Sequence, residues 1–165
     1  MYRVERLAKT HNRNDFDCGT EALNNFLRQA ARQHADRELS RTFVLIDDKN
    51  PKMILGYFTL TVCEVLPERI PARRLQLYPH PIPAAKLARI AVDSNYQRGG
   101  LGKLLLMDAM NRILTIAEDV GLIGMFVDAK DTSAANYYSG FGFLALETNP
   151  LQHLLPTGTI RKLFS

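Results

Sequence analysis

The sequence predicts an α/β fold built on one mixed β-sheet flanked by helices. Three observations carry that expectation. Apolar residues recur at helical spacing in two separated segments, and short β-branched and aromatic runs lie before, between and after them. A glycine-rich turn joins one such run to the second helical segment, the arrangement of a strand feeding a helix. The length of 165 residues suits a single domain, 1–165, with no internal repeat and no low-complexity segment.

Each element follows in order. Tyr2, Val4 and Leu7 place a first strand over Tyr2 to Ala8. Phe16-Asp17-Cys18-Gly19-Thr20 supplies helix-start chemistry, and Leu23, Phe26, Leu27, Ala30 and His34 then mark one stripe of an amphipathic helix. Its other faces carry Arg28, Arg32, Asp36 and Arg37, which read as a solvated surface. Thr42 to Ile46 and Met53 to Val65 flank the turn residues Asp47-Asp48-Lys49-Asn50-Pro51 and predict an antiparallel hairpin with a long, bent or bulged second strand. Five of the eight prolines fall between Pro67 and Pro83, so that stretch, with Arg69, Arg73, Arg74, Tyr78 and His80, is expected to be a long connection without regular structure.

Lys86 to Val92 reads as a buried strand. After Gln97-Arg98-Gly99-Gly100-Leu101-Gly102-Lys103, Leu101, Leu105, Ala109, Ile113, Ile116 and Val120 predict a helix that Gly121 ends. Leu122 to Ala129 is a further strand, Asp131-Thr132-Ser133 a polar turn, and a short helix runs through Tyr138. A strand from Phe143 to Leu146, an antiparallel return from Leu151 to Leu155, and a turn or helix from Thr157 to Phe164 complete the order β-α-β-β-β-α-β-α-β-β.

Several function classes are excluded at this level. With 46% hydrophobic and 23% charged residues the chain can bury a core and is not a disordered sequence. Two cysteines, Cys18 and Cys63, are too few for a disulfide scaffold and lack metal-ligand spacing, so no metal is expected. The residues after Met1 alternate charged and apolar groups and offer no signal peptide, and Met53 to Cys63 is well short of the ~18 apolar residues that span a bilayer. A soluble cytoplasmic protein without a membrane partner is the expectation. The net charge of +4 is a mild bias toward anionic partners.

The glycine turn is the first chemical signal. Three glycines in four residues allow close approach of a ligand to the main chain, and the helix start behind them offers unpaired N–H groups and a positive dipole end. Arg98 and Lys103 add charge, so a pyrophosphate suits the turn, although the same glycines also suit a plain tight turn. A dinucleotide fingerprint requires glycine where Leu105 stands, and a P-loop requires glycine and Ser or Thr where Gln97 and Leu104 stand.

Gln97-x-x-Gly100-x-Gly102, behind the strand end Ala91-Val92-Asp93, resembles the acetyl-CoA signature of the GCN5-related N-acetyltransferases (GNAT). The order of elements is similar to that family's over nearly the whole chain. The resemblance implies a GNAT fold with acetyl-CoA as co-substrate: Ile90, Ala91 and Val92 pair with the pantetheine arm through their main chain, and Arg98, Gly99, Gly100, Gly102 and Lys103 cradle the pyrophosphate. Gln97, which opens the motif, and Asn136 complete the implied cofactor contacts.

Asn136-Tyr137-Tyr138-Ser139-Gly140-Phe141-Gly142-Phe143 is similar to the family's tyrosine motif and places Tyr138 at the catalytic position. A phenol with a reference pKa of about 10 is protonated at neutral pH and can donate to a departing thiolate, so Tyr138 is the expected general acid of a direct transfer. Tyr137 is expected to be a core aromatic, His11, His34, His80 and His153 to be structural or surface residues, and no general base stands out.

Phe16-Asp17-Cys18-Gly19, Leu23-Asn24-x-Phe26-Leu27, Thr42-Phe43-Val44-Leu45 and Leu87-Ala88-Arg89-Ile90-Ala91-Val92 resemble the GNAT-type toxins of bacterial toxin-antitoxin pairs. That resemblance implies acetylation of the α-amino group of aminoacyl-tRNA, a block of translation, a homodimer, and a ribbon-helix-helix antitoxin as partner. Arg89 is the first candidate for the acceptor, with Arg73 and Arg74, and Arg28, Arg32 and Lys86 are further candidates for tRNA phosphates. The alternatives are a GNAT acting on a small-molecule or protein amine, and a non-catalytic acyl-CoA-binding module.

Overall fold

The computed structural model describes residues 1–66, 81–147 and 149–165. The strands form a seven-stranded mixed sheet in the order β1-β2-β3-β4-β5-β7-β6. Residues Met1–Thr61 with Leu87–Ala109 make one compact unit and Val62–Lys86 with Met110–Ser165 a second; β3 (Gly56–Val65), β4 (Ile82–Val92) and the helix Leu101–Asp119 contribute residues to both.

In the first unit, β1 (Tyr2–Arg6) pairs antiparallel with β2 (Arg41–Asp47), and β2 pairs antiparallel with β3, Phe43 opposite Phe58. The expected hairpin is present. Its second strand starts at Gly56 rather than Met53, because Leu55 is drawn off to bond across Leu45 and Asp93 through its N–H and carbonyl. Thr42 to Ile46 are all buried, the mark of a strand covered on both faces.

The single amphipathic helix expected over Leu23 to His34 is interrupted. It consists of α1 (Glu21–Asn25), a π-helical turn (Phe26–Ala30) and α2 (Ala31–Asp36). The Ala31 N–H bonds to the Phe26 carbonyl five residues back, and this wider turn buries Ala31 together with Phe26 and Leu27. These side chains pack with Phe16, Val44, Ile46, Ile54 and Tyr57 in the unit's core. The Tyr57 hydroxyl donates to the Leu23 carbonyl at 2.7 Å, fixing α1 over β3.

β4 begins at Ile82 rather than Lys86, so Ile82 and Pro83, expected to belong to a loop, are strand residues. The flanking prolines read as breakers, yet Pro83 needs no N–H where it sits: its carbonyl accepts from Ile123 and its ring faces outward. Residues 67–80 of that expected connection, including Arg69, Arg73, Arg74, Tyr78 and His80, lie outside the described residues. A 3-10 turn (Ser94–Tyr96) then leads to α3 (Leu101–Asp119).

In the second unit, β5 (Gly124–Asp128) leads to α4 (Thr132–Ser139) and β6 (Leu144–Leu146). β7 (Asn149–Pro156) returns antiparallel to β6 as expected and also pairs antiparallel with β5, Phe126 opposite Leu154. Val65, Ile82, Ala84, Phe126, Leu146 and Leu154 form the core there. α5 (Thr157–Leu163) follows, its first residue tied to β5's approach by the Thr157 hydroxyl, which donates to the Leu122 carbonyl at 2.8 Å.

Candidate active site

The 3-10 turn that leads to the glycines is capped by a buried aspartate. Asp93, 4% exposed, follows β4, and its carboxylate accepts from the Asp17 N–H at 3.1 Å and the Asn95 N–H at 2.9 Å. Asp17 extends the network: its carboxylate accepts from the Gly19 N–H and the Asn24 amide, both at 2.9 Å, and these bonds hold its pKa below the usual carboxylate value. Asn24 is buried and also accepts from the Cys18 N–H at 2.9 Å. Asp93 was not singled out from the sequence, although Asp followed two residues later by a bonded backbone N–H is a recognisable turn signal.

Gln97 braces the same turn from the other side. Its amide donates to the Val92 carbonyl at 2.9 Å and to the Cys18 carbonyl at 3.2 Å. Arg98 (φ 69°) and Gly100 (φ 82°) both adopt left-handed backbone. A non-glycine residue there costs about 1 kcal/mol or more, a strain that persists when the surroundings impose it. A Cβ on Gly100 would meet nothing within 4 Å, so the space before the helix is open. The first bond of α3 runs from the Leu104 N–H to the Gly100 carbonyl at 3.2 Å, leaving the earlier N–H groups outside the ladder. Arg98 and Lys103 are exposed and have no ion pair among the described residues. Backbone donors, an open cradle and two free cations fit a pyrophosphate.

Ile90, Ala91 and Val92 lie at the end of β4 in this unit, Ala91 buried and its neighbours half-buried. Arg89, one residue earlier, stacks its guanidinium 3.6 Å from the Phe26 ring centroid, so the π-helical turn positions it. Among the described residues no carboxylate pairs with Arg89.

The second unit carries Tyr138 on α4. Asp131 caps that helix by accepting from the Ala134 N–H at 2.8 Å. Tyr138 is half-buried, its ring 5.3 Å from Phe143 and 5.8 Å from Tyr137, and its hydroxyl has no bonded protein partner among the described residues. Burial, with Tyr137 as a lesser cause, raises its pKa above the ordinary phenol value. The hydroxyl therefore keeps its proton through neutral pH and is free to donate it. Tyr137, expected to be a core aromatic, is 48% exposed and packs edge-on against Phe141 at 5.1 Å; Phe143, 3% exposed, takes the core position because it starts the return to β6. Asn136 is exposed, and its carbonyl receives the Gly140 N–H at 3.2 Å.

Two of the basic candidates are held internally. Arg28 donates to the Phe16 carbonyl at 3.0 Å and lies 3.7 Å from Glu21, while Lys86 pairs with Asp128 at 3.1 Å and covers the Phe126 ring. Their charge positions the chain's own segments. Arg73 and Arg74 lie outside the described residues. Three histidines are structural, as expected: His11 accepts from the Ala8 N–H at 2.9 Å, His34 packs edge-on against Phe26 at 5.3 Å, and His153 is 2% exposed beside Ser139. His80 lies outside the described residues.

Among the described residues no helix is long and apolar enough to cross a membrane. Comparison with known proteins gives a consistent picture. The probable toxin TacT of Sinorhizobium fredii is 30% identical over 162 residues, covering 93% of this chain and 89% of that one. The tRNA-acetylating toxin of Mycobacterium tuberculosis is 31% identical over 150 residues, 91% of this chain and 89% of that one. The solved structure of AtaT complexed with acetyl-methionyl-tRNAfMet superposes with a TM-score of 0.92 at 29% identity over 100% of both chains. The model of the acetyltransferase (GNAT) family matches residues 7–143. The glycine turn, the tyrosine helix and the sheet that carries them are thus those of a GNAT acetyltransferase, the family to which this chain belongs.

Proposed function

We propose that this enzyme transfers an acetyl group from acetyl-CoA to the α-amino group of aminoacyl-tRNA and acts as a toxin by blocking translation. The observation that carries this reading is the end-to-end likeness, at a TM-score of 0.92, to AtaT in complex with acetyl-methionyl-tRNAfMet. The tRNA-acetylating toxin at 31% identity supports it independently of the fold comparison.

Acetyl-CoA supplies the thioester. Gly99, Gly100, Gly102 and the free N–H groups of α3 hold its pyrophosphate, with Arg98 and Lys103 neutralising charge, and Gln97 keeps the turn in register with the strand end. The main chain of Ile90, Ala91 and Val92 aligns the pantetheine arm, and Asn136 adds a polar contact. The amine of an aminoacyl ester is less basic than a lysine amine, so a neutral nucleophile is present near pH 7 without a dedicated base. It attacks the thioester carbonyl and gives up its extra proton to solvent as the C–S bond breaks, and the leaving thiolate takes the proton of Tyr138, which solvent returns. Arg89, fixed on Phe26, faces the acceptor, with Arg73 and Arg74 as further contacts.

Residues 1–165 are read as one acetyltransferase domain, supported by the family match over 7–143 and by the elements shared between the two units. A ribbon-helix-helix antitoxin silences the toxin, the chain is a homodimer, and it works in the cytoplasm. A mutant of AtaT bound to the C-terminus of its antitoxin AtaR, 31% identical to this chain, supports an antitoxin as partner. Incubating a fully charged tRNA pool with labelled acetyl-CoA tests the central reading. Label on the aminoacyl group is expected. Label on small-molecule or protein amines alone moves the enzyme to another acceptor, and tight acetyl-CoA binding with no product from any amine makes it a non-catalytic module.

A further inference from the structure

The two N-terminal motifs, Phe16-Asp17-Cys18-Gly19 and Leu23-Asn24-x-Phe26-Leu27, have no step in the reaction above, yet they are tied to the turn that carries the glycines. The Ser94 N–H donates to the Asp17 carbonyl at 2.8 Å, the Asp17 N–H to the Asp93 carboxylate at 3.1 Å, and the Gln97 amide to the Cys18 carbonyl at 3.2 Å. On its other side the same segment is joined to α1. Asn24, 2% exposed, accepts from the Cys18 N–H and donates to the Asp17 carboxylate, both at 2.9 Å. A single buried amide therefore grips the two residues that also bond the turn.

α1 depends on what it is tied to. It has five residues, its N-cap Thr20 makes no side-chain bond, and the π-helical turn follows directly. A helix this short gains too few bonds to offset its own nucleation. Two residues beyond Asn24, the Phe26 ring centroid lies 3.6 Å from the Arg89 guanidinium. Contacts thus run without a gap from the glycine turn through Gln97, Cys18 and Asn24 to Phe26 and Arg89, all within the first unit. A ligand that stiffens the turn leaves less of segment 16–27 to be ordered later, and the entropy saved appears as tighter binding of a second ligand at Arg89.

We propose that Asp17 and Asn24 are positioning residues that couple the acetyl-CoA turn to the acceptor-facing Arg89, so that each substrate binds more tightly when the other is present. This rests on the acetyl-CoA and aminoacyl-tRNA readings above. The chemistry of the tie sorts its replacements. The Gly19 N–H and the Asn24 amide both bond Oδ1 of Asp17, so Asp17→Asn keeps an acceptor there and Asp17→Ala does not. Asn24→Asp sets a second carboxylate oxygen against that atom and breaks the tie by repulsion.

Amide hydrogen exchange at saturating acetyl-CoA reads the tie without any acceptor. The cofactor is expected to slow exchange at residues 99–104 and 17–27 in the native chain and in Asp17→Asn, and at 99–104 alone in Asp17→Ala and Asn24→Asp. Binding of CoA, which has no acetyl group to transfer, is then measured with and without a charged tRNA pool. The pool should tighten CoA binding about fivefold or more in the native chain and less than about twofold in Asn24→Asp. If those variants melt early, Gln97→Leu, at an exposed position, removes the donor to Cys18 and should lose the same protection at 17–27. Native protection confined to 99–104, or protection at 17–27 that survives Asn24→Asp, overturns the tie. Acetylation of charged tRNA with no effect of the pool on CoA binding overturns the coupling and leaves the enzymatic reading standing. Tie-dependent protection at 17–27 with neither acetylation of charged tRNA nor an effect of the pool supports the tie and overturns the acceptor assignment.

Discussion

At the scale of single residues the proposed chemistry concentrates in Tyr138. Its hydroxyl is free of protein partners among the described residues, and burial holds its pKa above the ordinary phenol value. Tyr138→Phe should lower kcat by about 100-fold or more while leaving the acetyl-CoA dissociation constant within twofold, as single-turnover and direct binding measurements would show. An acid with a raised pKa stays protonated to higher pH, so kcat should show no loss from this group until the pH passes about 10. A Tyr138-dependent fall beginning below pH 8 would remove it as the donor. Asp93 belongs to a different class: buried and bonded to two backbone N–H groups, it shapes the turn. Asp93→Ala should cost roughly 1–3 kcal/mol in a urea melt, because those donors lose their acceptor, and should raise KM for acetyl-CoA more than it lowers kcat. The place of Tyr138 on a short helix was readable from its local motif. Asp93 was harder to read, since its partners at Asp17 and Asn95 combine a distant segment with a local turn.

At the scale of elements, two tight approaches decide stability. Gly124 opens β5 where a Cβ would lie 2.1 Å from the Leu155 carbonyl oxygen, so Gly124→Ala must push β5 and β7 apart. A loss of about 3 kcal/mol or more is expected by equilibrium unfolding, the upper range for overpacking. Tyr57 joins β3 to α1 through its bond to Leu23, and burial pushes its pKa well above the phenol value. The unfolded chain then releases this proton first. Stability is full below about pH 10 and falls as pH rises above it, a fall that Tyr57→Phe should reduce. The helix at 101–119 follows directly from periodicity, whereas Thr132 and Ser133, expected to be a polar turn, are the first residues of α4, which Asp131 caps. The π-helical turn does not, because one widened turn leaves the neighbouring apolar pattern nearly intact and shows only in Ala31, not Ala30, being buried. β4's first residues were hidden by Pro81 and Pro83, whose breaker character says nothing of a strand that needs only a carbonyl there.

At the scale of the whole molecule, alternating strands and helices made the α/β class and the mixed sheet readable. The insertion of β7 between β5 and β6 was not, because period-2 patterning tells which face of a strand is buried and not which neighbour it pairs with. Charge behaves likewise. The net +4 is spread along the sequence, but folding assigns Arg28 and Lys86 to internal contacts. The most direct measurement of the central claim is the yield of N-acetylated aminoacyl-tRNA from a charged tRNA pool and labelled acetyl-CoA, with the native enzyme and Tyr138→Phe side by side. Label on the α-amino group with the native enzyme, reduced about 100-fold by the substitution, is the predicted result. No label on any aminoacyl-tRNA, with native folding and intact acetyl-CoA binding, would contradict it.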